Sequence, residues 1–332
     1  MQVANQGRDR QIVDVHAHLQ VGDYLALLAA HGVTRPAELK DRAVGRSESS
    51  RAGEDTDAGL AARIEMMNAA NVRLQVLSPT LAPYLDSDVA AVMASRLLND
   101  RHAQLVRRHP GRLAAFVSLP LPHVDESLSE LRRGLDELGM AGVCMHAFCL
   151  GRSIAEEGFA PLFDEMNRRR CVLFLHPCVN GLLSPLLRDW RLSAAAGPLF
   201  EDATIALHLI VSGIPVRYPN IRIIVPHLGG GLCTMLDRLD NQLPLAVPEL
   251  MARPSELART FWFDTVSHGS RAALRCAAEA FGPERLVTGS DFPVLLAFEA
   301  YRQTFEYIGC CGLPPNDADA ILHRNAPALL GC

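Results

Sequence analysis

The chain has 332 residues, 37 acidic against 32 basic side chains, and 49% hydrophobic residues. That apolar content suits a soluble globular protein with a large core, and a net charge of −5 offers nothing to nucleic acid or to an anionic membrane surface. No apolar run could span a bilayer, and no charged start precedes an apolar signal core.

Nine cysteines are scattered without a Cys-x-x-Cys pair, several inside apolar strands, so they read as reduced core residues of a cytoplasmic protein. Lys40 is the only lysine. A Schiff-base lysine or a carbamylated bridging lysine is therefore excluded everywhere else in the chain.

In chain order, the polar start up to Arg10 is followed by Ile12-Val13-Asp14-Val15-His16-Ala17-His18. β-Branched Ile12, Val13 and Val15 favour a buried strand. Residues two apart in a strand share a face, so His16 and His18 are expected to project together, with Asp14 behind them. Two imidazoles on one rigid strand make half a metal site, although packed, hydrogen-bonded histidines carry the same signature. Residues from about 19 to 56 have no period and read as a loop insertion near an active-site mouth. Thr56 or Asp57 can cap a helix to about Ala70. A strand at Leu74–Leu77 and a helix over Asp86–Arg108 come next, the latter stopped by His109-Pro110-Gly111.

The strand-helix unit then recurs. Strands are expected at Leu113–Ser118, Gly142–His146, Cys171–His176, Ile221–Val225, Phe261–Asp264 and Arg285–Thr288. The helices between them cover Val124–Leu138, Ala160–Arg170, Glu201–Ser212, Gly231–Asn241, Arg271–Phe281 and Leu296–Tyr307, with a closing helix over Asp317–Leu330. Strands apolar throughout are buried on both faces, which implies a parallel sheet. Eight such units predict a single α/β domain over residues 1–332, a (β/α)8 TIM barrel.

Barrel chemistry sits at the C-terminal ends of the strands. Those ends carry His16 and His18, His176-Pro177, His227-Leu228-Gly229-Gly230-Gly231, and Gly289-Ser290-Asp291-Phe292-Pro293. Unpaired polar groups gathered there would be costly, which argues against packing as their purpose. His16, His18, His176 and Asp291 form a set of three nitrogens and one oxygen suited to zinc, with room for water or substrate. His227 beside them could act as a general acid or base, or serve as a further ligand. His146 ends strand four and His268 follows strand seven, so both are candidates to touch substrate. Asp264 is expected to orient neighbours at the mouth. Arg63 and Glu65 read as surface or helix-pair charges.

The combined motifs, Asp-x-His-x-His, His-Pro, His-x-Gly-Gly and Gly-Ser-Asp-Phe-Pro, resemble the amidohydrolase superfamily. The likeness is to its metal-dependent decarboxylases of the 2-amino-3-carboxymuconate-6-semialdehyde decarboxylase branch. It covers nearly the whole chain, from Ile12 to Asn325-Ala326-Pro327. It implies a barrel of the metal-dependent hydrolase type and one divalent ion, Zn2+ or alternatively Mn2+. The implied ligands are His16, His18, His176 and Asp291, with His227 as the catalytic histidine. Arg51 and Arg238 match arginines that bind a substrate carboxylate. Cys178 departs from the tryptophan that some relatives carry after His-Pro.

The implied activity is non-oxidative decarboxylation of an aromatic or unsaturated (di)carboxylic acid. Hydrolysis or hydration of a related carboxylate substrate is the alternative at the same site. A helix starting near Gly231 would leave Arg238 roughly 10 Å below its start. Arg238 would then serve a neighbouring subunit's site in a homodimer, or else pair locally with Asp237 or Asp240.

Overall fold

The alternation of strand and helix is present in the computed structural model, which describes residues 11–34, 54–178, 182 and 184–332. Eight parallel strands follow one another around a single sheet. They are β1 (Ile12–His18), β2 (Val72–Ser78), β3 (Leu113–Ser118), β4 (Gly142–His146), β5 (Val172–His176), β6 (Arg222–Val225), β7 (Trp262–Asp264) and β8 (Leu286–Val287). The barrel is closed by bonds between β1 and the chain leaving β8. Val15 N–H donates to the Thr288 carbonyl at 2.9 Å, and Asp291 N–H to the His16 carbonyl at 2.8 Å. A β-carbon on Gly289 would stand 2.9 Å from those of His16 and Asp264, so glycine permits this close approach.

The principal helices are α1 (Gly22–Ala30), α2 (Asp57–Ala69), α3 (Asp88–Arg108), α4 (Val124–Asp136), α5 (Ala160–Arg169), α6 (Gly197–Val211), α7 (Leu236–Ala246), α8 (Arg271–Phe281) and α9 (Gln303–Gly309). Side-chain oxygens of Thr56, Ser87 and Ser270 cap α2, α3 and α8 by accepting from Gly59, Ala90 and Ala273 N–H.

Two apolar layers follow from strand alternation. Val13, Val15, Val76, Phe116, Cys144, Phe174, Ile224 and Val287 fill the barrel. Ala17, Leu77, Met145 and Leu175 face the helices instead. On β1 the parity changes partway. Its pairing with β2 shifts between Asp14 and Ala17. This bulge turns His16 and His18 inward while Asp14 faces the helix layer, so Asp14 does not stand behind the two histidines as simple alternation predicts.

Buried Asp14 instead ties β1 to the end of β8. Its carboxylate accepts from Ser290 N–H (3.0 Å) and O–H (2.6 Å), the Gln75 amide (3.1 Å) and the Tyr301 hydroxyl (2.8 Å). Burial pushes its pKa up to about 6 against these bonds. Arg63 is also inside, 2% exposed, and is no surface charge. It donates to Gln75 Oε1 at 3.0 Å and to the His18 carbonyl at 2.8 Å, and its guanidinium lies 4.4 Å above the Phe292 ring.

Three expected helices differ. After β6 the chain does not enter a helix at Gly231. His227, Leu228, Gly229 and Gly230 all have positive φ, a separate 3-10 turn covers Leu232–Thr234, and α7 begins only at Leu236. The segment after β8 is a 3-10 turn (Val294–Ala297) followed by α9 rather than one helix. The closing segment is split by a π-helical stretch at Ala320–Arg324. Residues 35–53, within the expected insertion, lie outside the described part, and its described start includes α1.

Candidate metal centre

One ligand atom from each of His16, His18, His176 and Asp291 lies within 4.8 Å of every other. His18 Nε2 stands 3.2 Å from both His16 Nε2 and His176 Nε2, and 2.9 Å from Asp291 Oδ1. Each imidazole is committed at its other nitrogen. His16 Nδ1 donates to Asp264 Oδ2 at 2.7 Å, His18 Nδ1 to the Ser78 carbonyl at 3.1 Å, and His176 Nδ1 to the Pro177 carbonyl at 2.8 Å. Carbonyls and carboxylates only accept, so the three Nδ1 atoms carry the hydrogens. Three bare Nε2 lone pairs then face one another with no proton between them. They repel unless a cation sits among them. Ligands ~2.0–2.1 Å from a tetrahedral ion are separated by roughly 3.3 Å, close to the spacing of His18 Nε2 from the two other imidazoles. The residues present therefore fit a divalent metal.

Burial also favours the neutral form that a ligand needs at His18 and His176. It holds His18 below the usual histidine value and His176 well below it. Asp291 goes the other way. Burial works to raise it, but the imidazoles gathered around it outweigh that and hold it below the usual carboxylate range. Asp291 also has a positive φ of 55°, a conformation most side chains avoid, held by its bond to His16 and by the Asp14–Ser290 contacts beside it.

His227 stands next to this cluster, its ring 5.3 Å from that of His16. Its φ is 51°. Two carboxylates clamp it. Asp264 accepts from its backbone N–H at 2.9 Å, and Asp202 pairs with its Nδ1 at 2.8 Å. Burial opposes charge on His227, but the Asp202 carboxylate prevails and lifts it to about 9. Asp264 thus holds the His16 ring and the His227 backbone at once, the orienting part expected of it.

His146 is buried. Its ring is 4.8 Å from that of His176 and is hydrogen-bonded to the Thr80 backbone, and burial pushes it down to about 3. His268 lies on the turn after β7 with its ring 5.2 Å from Phe298. Arg51 falls outside the described residues. Arg238 is exposed in the first turn of α7, with no ion pair among the described residues. Asp240 binds Ser255 (2.6 Å) and Arg253 (3.5 Å) instead, and no ion pair joins Asp237 to Arg238 among the described residues. Because α7 begins at Leu236, Arg238 is its third residue rather than a residue two turns into a helix from Gly231.

The family pattern described as amidohydrolase matches residues 13–332. The chain belongs to the amidohydrolase family. Among its curated relatives is a 2-amino-3-carboxymuconate-6-semialdehyde decarboxylase of Dictyostelium discoideum, 28% identical over 74% of this chain and 70% of that one. A 6-methylsalicylic acid decarboxylase of Aspergillus aculeatus is 30% identical over 67% of this chain and 71% of that one. The barrel superposes with a TM-score of 0.82, at 20% identity, on a 5-carboxyvanillate decarboxylase of Novosphingobium aromaticivorans in complex with manganese and a nitrobenzoic acid, covering 98% of this chain and 97% of that one.

Reading strand ends did not find Asp202 or the inward Arg63. The signal for Asp202 was present. It falls on the same helical stripe as Ile205, Ala206 and Leu209, an acid at a position where the period demands an apolar residue.

Proposed function

We propose that this amidohydrolase is a metal-dependent, non-oxidative decarboxylase of a small aromatic or unsaturated carboxylic acid. The observation that carries the reading is the convergence of three bare imidazole nitrogens and one carboxylate at a barrel mouth, next to a carboxylate-braced histidine. The curated relatives that are decarboxylases support it.

His16, His18, His176 and Asp291 would hold the ion, which supplies Lewis-acid charge for the substrate carboxylate and a neighbouring oxygen. Zn2+ suits three nitrogens and one oxygen; Mn2+, the ion bound in the carboxyvanillate enzyme, is the alternative. His227, kept protonated by Asp202, delivers its proton to the carbon bearing the carboxylate. The bond from that carbon to the carboxylate then breaks. Its electron pair returns to the unsaturated system, and carbon dioxide leaves. His146 and His268 line the approach, and Arg51 and Arg238 act as carboxylate clamps, with Arg238 presented by a second subunit. All nine cysteines are unpaired, which supports a reducing compartment such as the cytoplasm.

The test is carbon dioxide release across hydroxybenzoates, muconate semialdehydes and pyrone acids. His227→Asn should cut turnover by roughly 10²–10⁴ while metal content stays near wild type. Hydrolysis of lactones or amides with no carbon dioxide from any acid would overturn the decarboxylase reading in favour of a hydrolase.

A further inference from the structure

The buried carboxylate of Asp202 is not part of the four-residue cluster. It lies on α6, is 0% exposed, and its Oδ2 is 2.8 Å from His227 Nδ1. Its other oxygen, Oδ1, is buried with no hydrogen-bond partner among the described residues. A carboxylate kept only to fasten a helix would be expected to satisfy both oxygens, because a buried unpaired acceptor is costly. Here the imidazole is the one side-chain partner among the described residues.

The surroundings are shaped to bring the two together. A β-carbon on Gly230 would lie 2.0 Å from the Leu199 carbonyl oxygen, so only glycine lets the first turn of α6 close on the turn that carries His227. The neighbouring Glu201 accepts from Cys178 N–H at 2.5 Å, just after His176. One helix start thus braces both the β5 and the β6 turns of the site.

We infer that Asp202 is the positioning residue of His227, holding the hydrogen on Nδ1 and directing Nε2 to the metal centre and the substrate. A lone imidazole can carry its hydrogen on either nitrogen and can rotate about its side-chain bonds. Accepting from Nδ1 removes both freedoms, since the nitrogen opposite the carboxylate then faces the cluster. The inference rests on His227 being the acid-base group proposed above, but its first test does not depend on turnover.

In protein labelled with 15N-histidine, the Nδ1–H cross-peak of His227 is identified by its loss in His227→Asn. It is expected far downfield and slowly exchanging in wild type. In Asp202→Leu, which cannot accept, it is expected to vanish. Its absence from wild type, or its persistence in Asp202→Leu, overturns the inference, and the wild-type spectrum decides alone should the leucine variant not fold. With a substrate found by carbon dioxide release, Asp202→Asn is expected to lower kcat by roughly 10²–10⁴ with KM changed only a few-fold and metal content kept. Loss confined to KM, or no loss, also overturns it. No carbon dioxide release by the wild-type protein from any acid, with the cross-peak behaving as expected, would instead remove the decarboxylase reading and leave the bracing intact.

Discussion

At the scale of single residues, the deciding feature is which nitrogen of each histidine is already spoken for. Ser78, Pro177 and Asp264 take the Nδ1 hydrogens, and what remains is a set of lone pairs that needs a cation. Metal binding should therefore be lost with any member of the set. Asp291→Ala and His176→Ala are expected to lose most of the roughly one ion per chain that elemental analysis should find in protein purified without chelator. Full occupancy in both variants would rule out this ligand set.

At the scale of elements, helices α4 and α5 are joined through Glu165. It pairs with Arg168 (2.8 Å) and Arg169 (2.7 Å) on its own helix and with Arg132 (3.4 Å) on α4. Hydrogen bonds from Arg168 and then Arg169 overcome partial burial and hold its carboxyl down near 2. A carboxyl depressed in the folded state stabilises it above the unfolded value of about 4.5, and that stabilisation is lost as pH falls from 4.5 toward 2. Arg168 and Arg132 are more than half exposed, so solvent screens much of the effect. Glu165→Gln is expected to cost about 1 kcal/mol at pH 6. Urea unfolding at pH 6 and pH 3 should show the gap from wild type narrowing at the lower pH. An equal gap at both values would mean that the arginine pairing is not its source.

At the scale of the whole molecule, Arg238 poses the assembly question. It is exposed near the start of α7 and has no acid partner among the described residues. A clamp presented to a second copy across a two-fold axis predicts complementation. Arg238→Ala and His227→Ala should each be nearly inactive, yet co-refolding them should recover a substantial part of the activity, because a mixed dimer holds one site with both groups intact. No recovery, or a monomer by light scattering at working concentration, would end the dimer proposal.

The sequence by itself determined the barrel and the positions of the groups that cluster at its mouth. Apolar runs of strand length between amphipathic helices admit few other folds, and a barrel gathers its strand ends at one mouth. That is why His16, His18, His176, His227 and Asp291 could be placed by reading strand ends alone. Tertiary structure decided what depends on contacts between distant segments. The bulge in β1 arises where that strand is bonded on both sides, to β2 and to the chain after β8, and it sends Asp14 outward and His16 inward. The late start of α7 follows from four consecutive left-handed residues packed against α6 and β7, which helical periodicity cannot report. Arg63 and Asp202 look like ordinary helix charges in a linear reading. Only packing shows that one sits over the Phe292 ring and the other against His227, because burial is a property of the neighbours and not of the residue.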